Sequence, residues 1–354
     1  MNRQLPARVR EQIERAARAS LVFDLGAIET NVRRIAAAAH AAGMHALFAA
    51  KSFPHPAVHA LAAEWLDGFD LASPAEVRAA PACAIASIAD PSGAAIAAAS
   101  DARAKRVIVS CETPAQAAAA PATADIAVRV SASITGRDPA VGAVLDGGGR
   151  RRSRFGVETR DAIAAIARAA GARRVGLHVH HGQVTATVAE RFVATARAAI
   201  ETAGFAPAFV NLGGAWHGIP DVAAAFAEVR AAVPSSIELL VEPGRAYAGG
   251  SGFACGRVTA ARSLGDRELV VCELSRICHL AWSAVELVAT APPPGEGHRV
   301  LVVGPTCFEE DVVGEWTCIP PRVGDRVVVR GLTGYALAWN AGFAGIAPAD
   351  VEIV

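Results

Sequence analysis

The sequence is poor in aromatic residues and has no excess of charge of either sign. Aromatic residues make up 5% of the 354 residues, and only two of them are tyrosines. The 34 lysines and arginines balance the 34 aspartates and glutamates, so the charge gives no reason to expect nucleic acid or an anionic membrane surface as a partner. The chain also lacks any apolar run near the length of about 20 residues that a transmembrane helix requires.

Patterns of export and of metal binding are missing as well. The first segment, MNRQLPARVREQIERAARAS, contains no apolar stretch of the kind found in a secretory signal. The seven cysteines are odd in number and form no CxxC pair. We therefore expect a cytoplasmic protein with reduced thiols and without a metal site.

What the sequence does contain, between residues 45 and 245, is an alternation of short apolar segments with alanine-rich segments of helical periodicity. Eight of the apolar segments have the length and the continuous apolar character of buried strands. They are HALFAAKS, GFDLAS, CAIASIA, RVIVSC, DIAVRVSAS, VGLHVHHG, FVNLGGAW and IELLVEPG. Strands that alternate with helices predict a parallel sheet, and eight such repeats predict an α/β fold of the (β/α)8, or TIM barrel, type.

The residues after Arg245 have a different pattern. The segments ELVVCELS, HRVLVVG and DRVVVRG are rich in valine, and no long amphipathic helix separates them. This pattern predicts a C-terminal β domain, like a sandwich or a small barrel, that is completed by the N-terminal segment. We expect the barrel to span residues 25–248, beginning with a helix over about 25–43, and the β domain to span residues 1–24 and 249–354.

Polar residues and glycines stand at the ends of the predicted barrel strands. The active site of such a barrel lies at the carboxyl ends of its strands, so these residues should face one opening. They are Lys51, Asp70, His178, His180, His181, Gly213, Gly214, Glu242 and Arg245.

Each of these features has an ordinary structural explanation when it is taken alone. A lysine at a strand end can simply be solvated, a glycine pair can form a turn, and EPGR can be a corner closed by a salt bridge. The histidines could bind a metal ion, because alternate residues of a strand point to one face. A metal ion would need further ligands at neighbouring strand ends, however, and the positive charge of Lys51 would oppose it.

Taken together, the same residues indicate one chemistry. A lysine amine can hold an aldehyde, and the backbone amides of Gly213 and Gly214 can bind a phosphate that Arg245 also attracts. Glu242 can keep a pyridine nitrogen protonated, and a histidine can stack on a flat ring. An aldehyde, a phosphate and a pyridine ring together describe pyridoxal 5'-phosphate (PLP).

Over nearly its whole length the chain resembles the fold-type III PLP enzymes, the group of ornithine, diaminopimelate and arginine decarboxylases. Eight motifs occur in the order typical of that family. They are FAAKSFPHPAV, FDLASPAEV, RRSRFGV, LHVHHGQ, NLGGAW, VEPGR, VVGPTCFEED and GYALAWNAGF.

The resemblance implies a role for each matching residue. Lys51 holds the cofactor covalently, His180 stacks on its ring, Gln183 takes the place of a family serine, and Glu242 contacts the pyridine nitrogen. The phosphate is bound by Gly213, Gly214, Arg245 and Tyr335, and we also expect Asp70 to contact the cofactor. Cys307 returns a proton to the α-carbon, which makes Lys51, His180 and Cys307 the predicted catalytic residues. The element that carries Cys307 reaches the site of the other subunit, so a head-to-tail homodimer with shared sites is implied.

The chain departs from the family pattern where the substrate is recognised. Phe308 follows Cys307, at a position where the ornithine and diaminopimelate enzymes place an acidic residue. A second acidic position is expected in VCELSRICHLAW, where Glu273 is the candidate, and Glu309 and Asp311 lie close to Phe308 in the chain. The substrate residues that we predict are therefore Phe308, Glu309, Asp311 and Glu273.

Three hypotheses about function remain open at this point. The first is a biosynthetic α-decarboxylase of an amino acid or of an amino-acid conjugate, bound to a carrier or acylated, rather than of free ornithine, lysine or diaminopimelate. The second is an amino-acid racemase of the same fold, but such racemases use an arginine at the pyridine nitrogen and a tyrosine as second base. Only Tyr247 and Tyr335 are present here, and the resemblance commits Tyr335 to phosphate. The third is a PLP-binding protein without catalytic activity.

Overall fold

The structure, a computed structural model, describes residues 5–135, 144–145, 151–180, 188–288 and 297–354. The chain divides into two compact units. The sheet unit comprises Met1–Thr30, Ser52–Pro54 and Ala248–Val354, and the barrel unit comprises Asn31–Lys51 and His55–Tyr247. The short segment Ser52–Pro54 therefore packs with the sheet unit although it directly follows Lys51.

The strands, in chain order, are β1 (Ser20–Phe23), β2 (Met44–Ala49), β3 (Gly68–Leu71), β4 (Cys83–Ile88), β5 (Ala104–Cys111), β6 (Asp125–Val130), β7 (Val144–Leu145), β8 (Arg151–Arg152), β9 (Val175–Val179), β10 (Phe209–Asn211), β11 (Glu238–Val241), β12 (Gly252–Leu264), β13 (Arg267–Cys272), β14 (Glu286–Leu287), β15 (His298–Val303), β16 (Val312–Cys318), β17 (Arg326–Leu332) and β18 (Asp350–Ile353). The α-helices are α1 (Ala7–Arg15), α2 (Leu25–Ala41), α3 (Pro56–Trp65), α4 (Pro74–Ala79), α5 (Ala94–Ala97), α6 (Pro114–Ala119), α7 (Arg160–Ala169), α8 (Val188–Ala203), α9 (Val222–Ala232), α10 (Gly244–Tyr247) and α11 (Tyr335–Ala338).

The barrel unit is a closed ring of eight strands in the order β2, β3, β4, β5, β6, β9, β10 and β11. Every neighbouring pair is parallel, including the closing pair of β11 with β2. The ring confirms the predicted (β/α)8 barrel, and each of the eight apolar segments supplies one of its strands. Side chains from six strands form one cluster of the core, namely Leu47, Ile85, Ile108, Ala127, Phe209 and Leu240.

The sheet unit is a mostly β structure that the N-terminal segment completes. Its main path runs β14, β17, β12, β13, β15 and β16. The strand β1 joins it by pairing antiparallel with β12, in the register Ser20 with Cys255, and parallel with β18, in the register Ser20 with Asp350. The helix α1 packs on this sheet through Val9 and Ile13.

The three valine-rich segments became β13, β15 and β17, whereas the longest strand, β12, was not predicted. Its sequence, GFACGRVTAARSL, lacks an apolar run because its first residues are buried and most of its last eight are exposed. Among the described helices, none has both the length and the apolar composition to cross a membrane.

Charged residues form a network at the amino ends of the barrel strands. Arg106 lies 2.7 Å from Asp125 and 2.5 Å from Glu238, and Arg174 reaches the same two carboxylates. His45, at the start of β2, lies 3.2 Å from Glu238 and 3.2 Å from Asp67. Hydrogen bonds to these two carboxylates raise the pKa of His45 from 6.5 to about 9. The His45 side chain is therefore protonated in the folded protein at neutral pH.

This network makes a prediction about stability and pH. Because the pKa of His45 is raised on folding, its charge contributes stability in full below about pH 6.5 and loses that contribution as the pH rises through about 9. His45→Gln should lower the melting temperature at about pH 6, and the difference from the wild type should shrink at about pH 10. Thermal unfolding followed by circular dichroism measures both, and an equal difference at the two pH values would contradict the account.

Candidate active site

Lys51 follows the strand β2 in a single 3-10 turn, Ala50–Ser52, at the carboxyl end of the barrel. The neighbouring strand β3 carries Asp70, which is paired in register with Ala49. The Lys51 ammonium donates a hydrogen bond to Asp70 Oδ2. The Asp70 side chain is only 1% exposed, so this ion pair compensates the burial of its charge. Its other oxygen, Oδ1, is buried and accepts no hydrogen bond from the described residues.

Glu242 stands directly after β11 and is also buried. Its Oε1 accepts a hydrogen bond of 2.6 Å from Asn211 Nδ2 and one of 3.3 Å from Ser87 Oγ. Burial, followed by the negative charge of Asp70, raises the pKa of Glu242 from 4.5 to about 7, although Lys51 and Asn211 act in the opposite direction. This carboxyl group can therefore hold or release a proton near neutral pH.

A partly buried cation lines the same cavity. Arg129, on β6, has its Nη1 at 3.1 Å from both ring nitrogens of His178 on β9. No carboxylate of the described residues lies within 4.0 Å of the Arg129 guanidinium. Burial lowers the pKa of Arg129, while the charges of Glu242 and Asp70 oppose that shift. A buried cation without a carboxylate partner is suited to an anionic ligand.

The turn that follows β10 brings two glycines against a histidine. Gly213 has φ of +63°, a left-handed conformation, and its N–H donates to Asn211 Oδ1 at 2.9 Å. A Cβ atom on Gly213 would lie 2.8 Å from His180 Cδ2, and one on Gly214 would lie 3.1 Å from His180 Nε2. A Cβ at either position would fit only if the His180 ring moved away, and at Gly213 it would also strain the left-handed backbone.

These side chains surround one cavity of about 440 Å³ in the barrel unit. Its lining includes Lys51, Asp70, Arg129, His178, His180 and Glu242, together with Glu112, Arg154 and Phe155. The geometry thus brings together four residues expected from the sequence, Lys51, Asp70, His180 and Glu242. Arg245 follows in the helix α10, whereas Gln183 and His181 lie outside the described residues.

The remaining predicted site residues belong to the sheet unit. Cys307 is exposed in the turn between β15 and β16, and Tyr335 begins α11 with its ring centroid 5.9 Å from that of Trp282. Asp311 is buried beneath the turn that carries Cys307. Its carboxylate accepts hydrogen bonds from Thr306 Oγ1 at 2.7 Å, Ser275 Oγ at 3.0 Å and the Arg276 amide at 2.6 Å.

The other predicted substrate residues differ in their surroundings. Phe308 is 50% exposed and makes an edge-to-face contact with Phe343, with ring centroids 5.2 Å apart. Glu273 accepts a hydrogen bond of 2.9 Å from the Arg257 amide. Glu309 is exposed.

Comparison with known proteins accounts for the cavity. The family described as "Pyridoxal-dependent decarboxylase, pyridoxal binding domain" matches residues 25–249. The chain belongs to this family. It is therefore a PLP-dependent amino-acid decarboxylase, which is a carboxy-lyase. A separate comparison with curated protein sequences found no match.

Solved structures of the same fold are similar to this decarboxylase over almost its whole length. They include lysine/ornithine decarboxylase of Vibrio vulnificus complexed with cadaverine, with 19% identity, a TM-score of 0.78 and coverage of 99% of both chains. Arginine decarboxylase of Paramecium bursaria Chlorella virus bound to agmatine has 16% identity and a TM-score of 0.77, covering 98% of this chain and 100% of its own. Diaminopimelate decarboxylase of Helicobacter pylori complexed with L-lysine has 17% identity and a TM-score of 0.76, covering 97% and 93%.

The residues of the cavity fit PLP on grounds of their own chemistry. The partly buried Arg129 lacks a carboxylate partner within 4.0 Å among the described residues and suits the anionic cofactor. The bare backbone at Gly213 and Gly214 suits a phosphate, and Asp70 Oδ1 lacks a hydrogen-bond donor. Sequence reasoning missed Arg129 and gave His178 no role. The one signal for Arg129 is a charged residue inside the apolar strand segment DIAVRVSAS.

The glycine turn of the decarboxylase can be tested against a matched position. Gly43 also has a left-handed backbone, with φ of +66°, but has open space where a Cβ would stand. Gly43→Ala should cost only the backbone strain of about 1 kcal/mol, whereas Gly213→Ala should cost more because its Cβ would collide with His180. Urea unfolding of the apoprotein measures the two free energies, and equal losses would contradict the close approach.

Proposed function

We propose that this decarboxylase acts in a biosynthetic pathway on an amino acid whose distal group is acylated or otherwise conjugated, not on free ornithine, lysine or diaminopimelate. The observation that carries the proposal is the exposed aromatic pair of Phe308 and Phe343 beside Cys307. The related enzymes from Vibrio and Chlorella virus, by contrast, are complexed with the free amines cadaverine and agmatine.

In this proposal the cofactor-binding roles are those that the family resemblance implies, and Lys51, Asp70, His180 and Glu242 line the cavity. Lys51 holds the aldehyde, His180 packs on the ring, and Glu242 faces the pyridine nitrogen. Because its pKa is raised to about 7, the Glu242 carboxyl group can exchange a proton with that nitrogen near neutral pH and keep it protonated. The phosphate lies against Gly213 and Gly214 and is bound by the Gly214 amide with Arg245 and Tyr335, since the Gly213 N–H donates to Asn211 Oδ1. Asp70 orients Lys51. PLP supplies an electron sink for the α-carbon of the attached amino acid.

Cys307 completes the reaction in our proposal. When the bond between the α-carbon and the carboxylate breaks, CO2 leaves and the electron pair stays at the α-carbon. The Cys307 thiol donates its proton to that carbon, and solvent then restores the thiol. Asp311 keeps the turn of Cys307 in place through its hydrogen bonds to Thr306 and Ser275. We propose that this turn serves the site of a second copy of the chain, in a homodimer with shared sites.

The argument about the substrate is electrostatic. A free distal ammonium needs a carboxylate with a lone pair to accept its hydrogen bond, and Phe308 offers none. Asp311 already accepts hydrogen bonds on both carboxylate oxygens, and Glu273 accepts one from Arg257. A charge-assisted hydrogen bond contributes about 1.5–3 kcal/mol, so its loss corresponds to a specificity factor of about ten to a hundred. An apolar acyl group, by contrast, gains contact with the two aromatic rings.

The identity of the cofactor lysine can be tested sharply, because the sequence contains only two lysines, Lys51 and Lys105. Borohydride reduction of the holoenzyme followed by peptide mass mapping should find the cofactor on Lys51. Lys51→Ala should abolish this covalent trapping, whereas Lys105→Ala, at an exposed position of β5, should leave it unchanged. Trapping that persists in Lys51→Ala would refute the assignment.

Shared sites predict complementation between inactive chains. Lys51→Ala and Cys307→Ala should each be inactive alone, but random mixing of their subunits should restore about a quarter of the full activity, because one of the two sites in a mixed dimer is intact. Cys318→Ala, which removes a buried cysteine of the same unit, controls for the loss of a thiol. No recovery despite subunit exchange, followed by mass spectrometry of labelled chains, would argue against shared sites.

Steady-state kinetics test the substrate. The wild type should show higher kcat/KM for N-acylated diamino acids than for the free ones, and Phe308→Asp should raise kcat/KM for free diamino acids by about tenfold or more. Ile319→Asp places the same charge at another exposed apolar position of the sheet unit and should change nothing. Efficient turnover of free diamino acids by the wild type would instead favour recognition by Glu309 or Glu310.

A further inference from the structure

His178 is a buried histidine that the proposed function does not use. It lies on β9 with 1% of its surface exposed and lines the cavity. Its Nδ1 lies 3.0 Å from Ser110 Oγ on β5, and its Nε2 lies 3.8 Å from Glu242 Oε2. Arg129 approaches the ring from β6, with Nη1 at 3.1 Å from both nitrogens. Three strands thus direct polar groups at one imidazole.

The ring carries no charge at neutral pH. Burial, followed by the positive charges of Arg129, His180 and Lys51, lowers the pKa of His178 well below 6.5. A neutral imidazole can contact the Arg129 guanidinium without repelling it, and it can approach the Glu242 carboxyl group without forming an ion pair.

Arg129 and Glu242 are opposite charges in the same buried region. Glu242 is the strongest of the charges that favour the protonated form of Arg129. Attraction between opposite charges is large where water is excluded, so a direct ion pair would form if the two groups could meet. Such a pair would neutralise the positive charge of Arg129, which suits an anionic ligand, and would favour loss of the proton from Glu242. The ring of His178 contacts both groups, because its Nε2 lies 3.1 Å from Arg129 Nη1 and 3.8 Å from Glu242 Oε2.

We propose that His178 is a positioning residue that holds Arg129 and Glu242 apart, so that both side chains remain directed at the cofactor. The inference rests on the proposed site of PLP in this cavity. It adds to that proposal a role for His178 as the spacer between Arg129 and Glu242.

The test is a double-mutant cycle on the affinity of the apoprotein for PLP, measured by quenching of tryptophan fluorescence. His178→Ala should weaken binding by about tenfold, because Arg129 can then reach Glu242. In the Arg129→Gln background the same replacement should have little effect, because no cation is left to collapse onto Glu242. His178→Gln, which keeps bulk and hydrogen-bonding capacity at the position of Nε2, should retain most of the affinity of the wild type.

Two results would overturn the inference. One is an effect of His178→Ala that is the same with and without Arg129, and the other is unchanged affinity in His178→Ala. If that variant fails to fold by circular dichroism, His178→Asn replaces it in the cycle, since its shorter side chain still opens the space beside Glu242.

The variants Lys51→Ala and Glu242→Gln, measured in the same assay, distinguish a failure of the proposed PLP site from a failure of the role proposed for His178. If both variants bind PLP as tightly as the wild type, the proposed site is wrong. If both bind PLP more weakly, but the effects of His178→Ala and Arg129→Gln on affinity are additive, only the role of His178 is refuted.

Discussion

The burial of two carboxyl groups beside a lysine at one end of a closed barrel is the constraint on which the rest of the site depends. Asp70 and Glu242 are both shielded from water, and burial, followed by the negative charge of Asp70, raises the pKa of Glu242 to about 7. The hydrogen bond from Lys51 stabilises Asp70 in this position. Because a buried charge without a partner costs several kcal/mol, the three groups can coexist only in a fixed arrangement. The arrangement holds an amine and a carboxyl group that can take up or release a proton near neutral pH in one cavity.

The barrel supplies that arrangement through strand register. Lys51 follows β2, Asp70 lies on β3 and Glu242 follows β11, and these three strands are neighbours in the ring. Parallel neighbours end at the same edge, so residues far apart in the sequence are brought to one opening. The glycine turn after β10 adds bare backbone beside His180, and its closest contacts would not tolerate a Cβ atom. Packing and chemistry therefore constrain the same few positions.

Much of this could be predicted from the sequence, because apolar strands and strand-end residues leave local signals. The eight barrel strands, and with them the cavity positions of Lys51, Asp70, His180 and Glu242, follow from such signals. Arg129 and His178 could not be assigned a role, since their partners lie on other strands and pairing depends on the closed ring. The strand β12 has no periodic apolar pattern, because much of it is exposed. Likewise, nothing local shows that Ser52–Pro54 packs with the sheet unit.

A crystal structure of the holoenzyme tests the central claim most directly. The account predicts electron density that is continuous from Lys51 Nζ into PLP, with the pyridine nitrogen within hydrogen-bonding distance of Glu242. The phosphate should lie against the glycine turn and accept a hydrogen bond from the Gly214 amide. Cofactor density attached to Lys105 or outside the cavity, or a pyridine nitrogen that faces a group other than Glu242, would contradict the account.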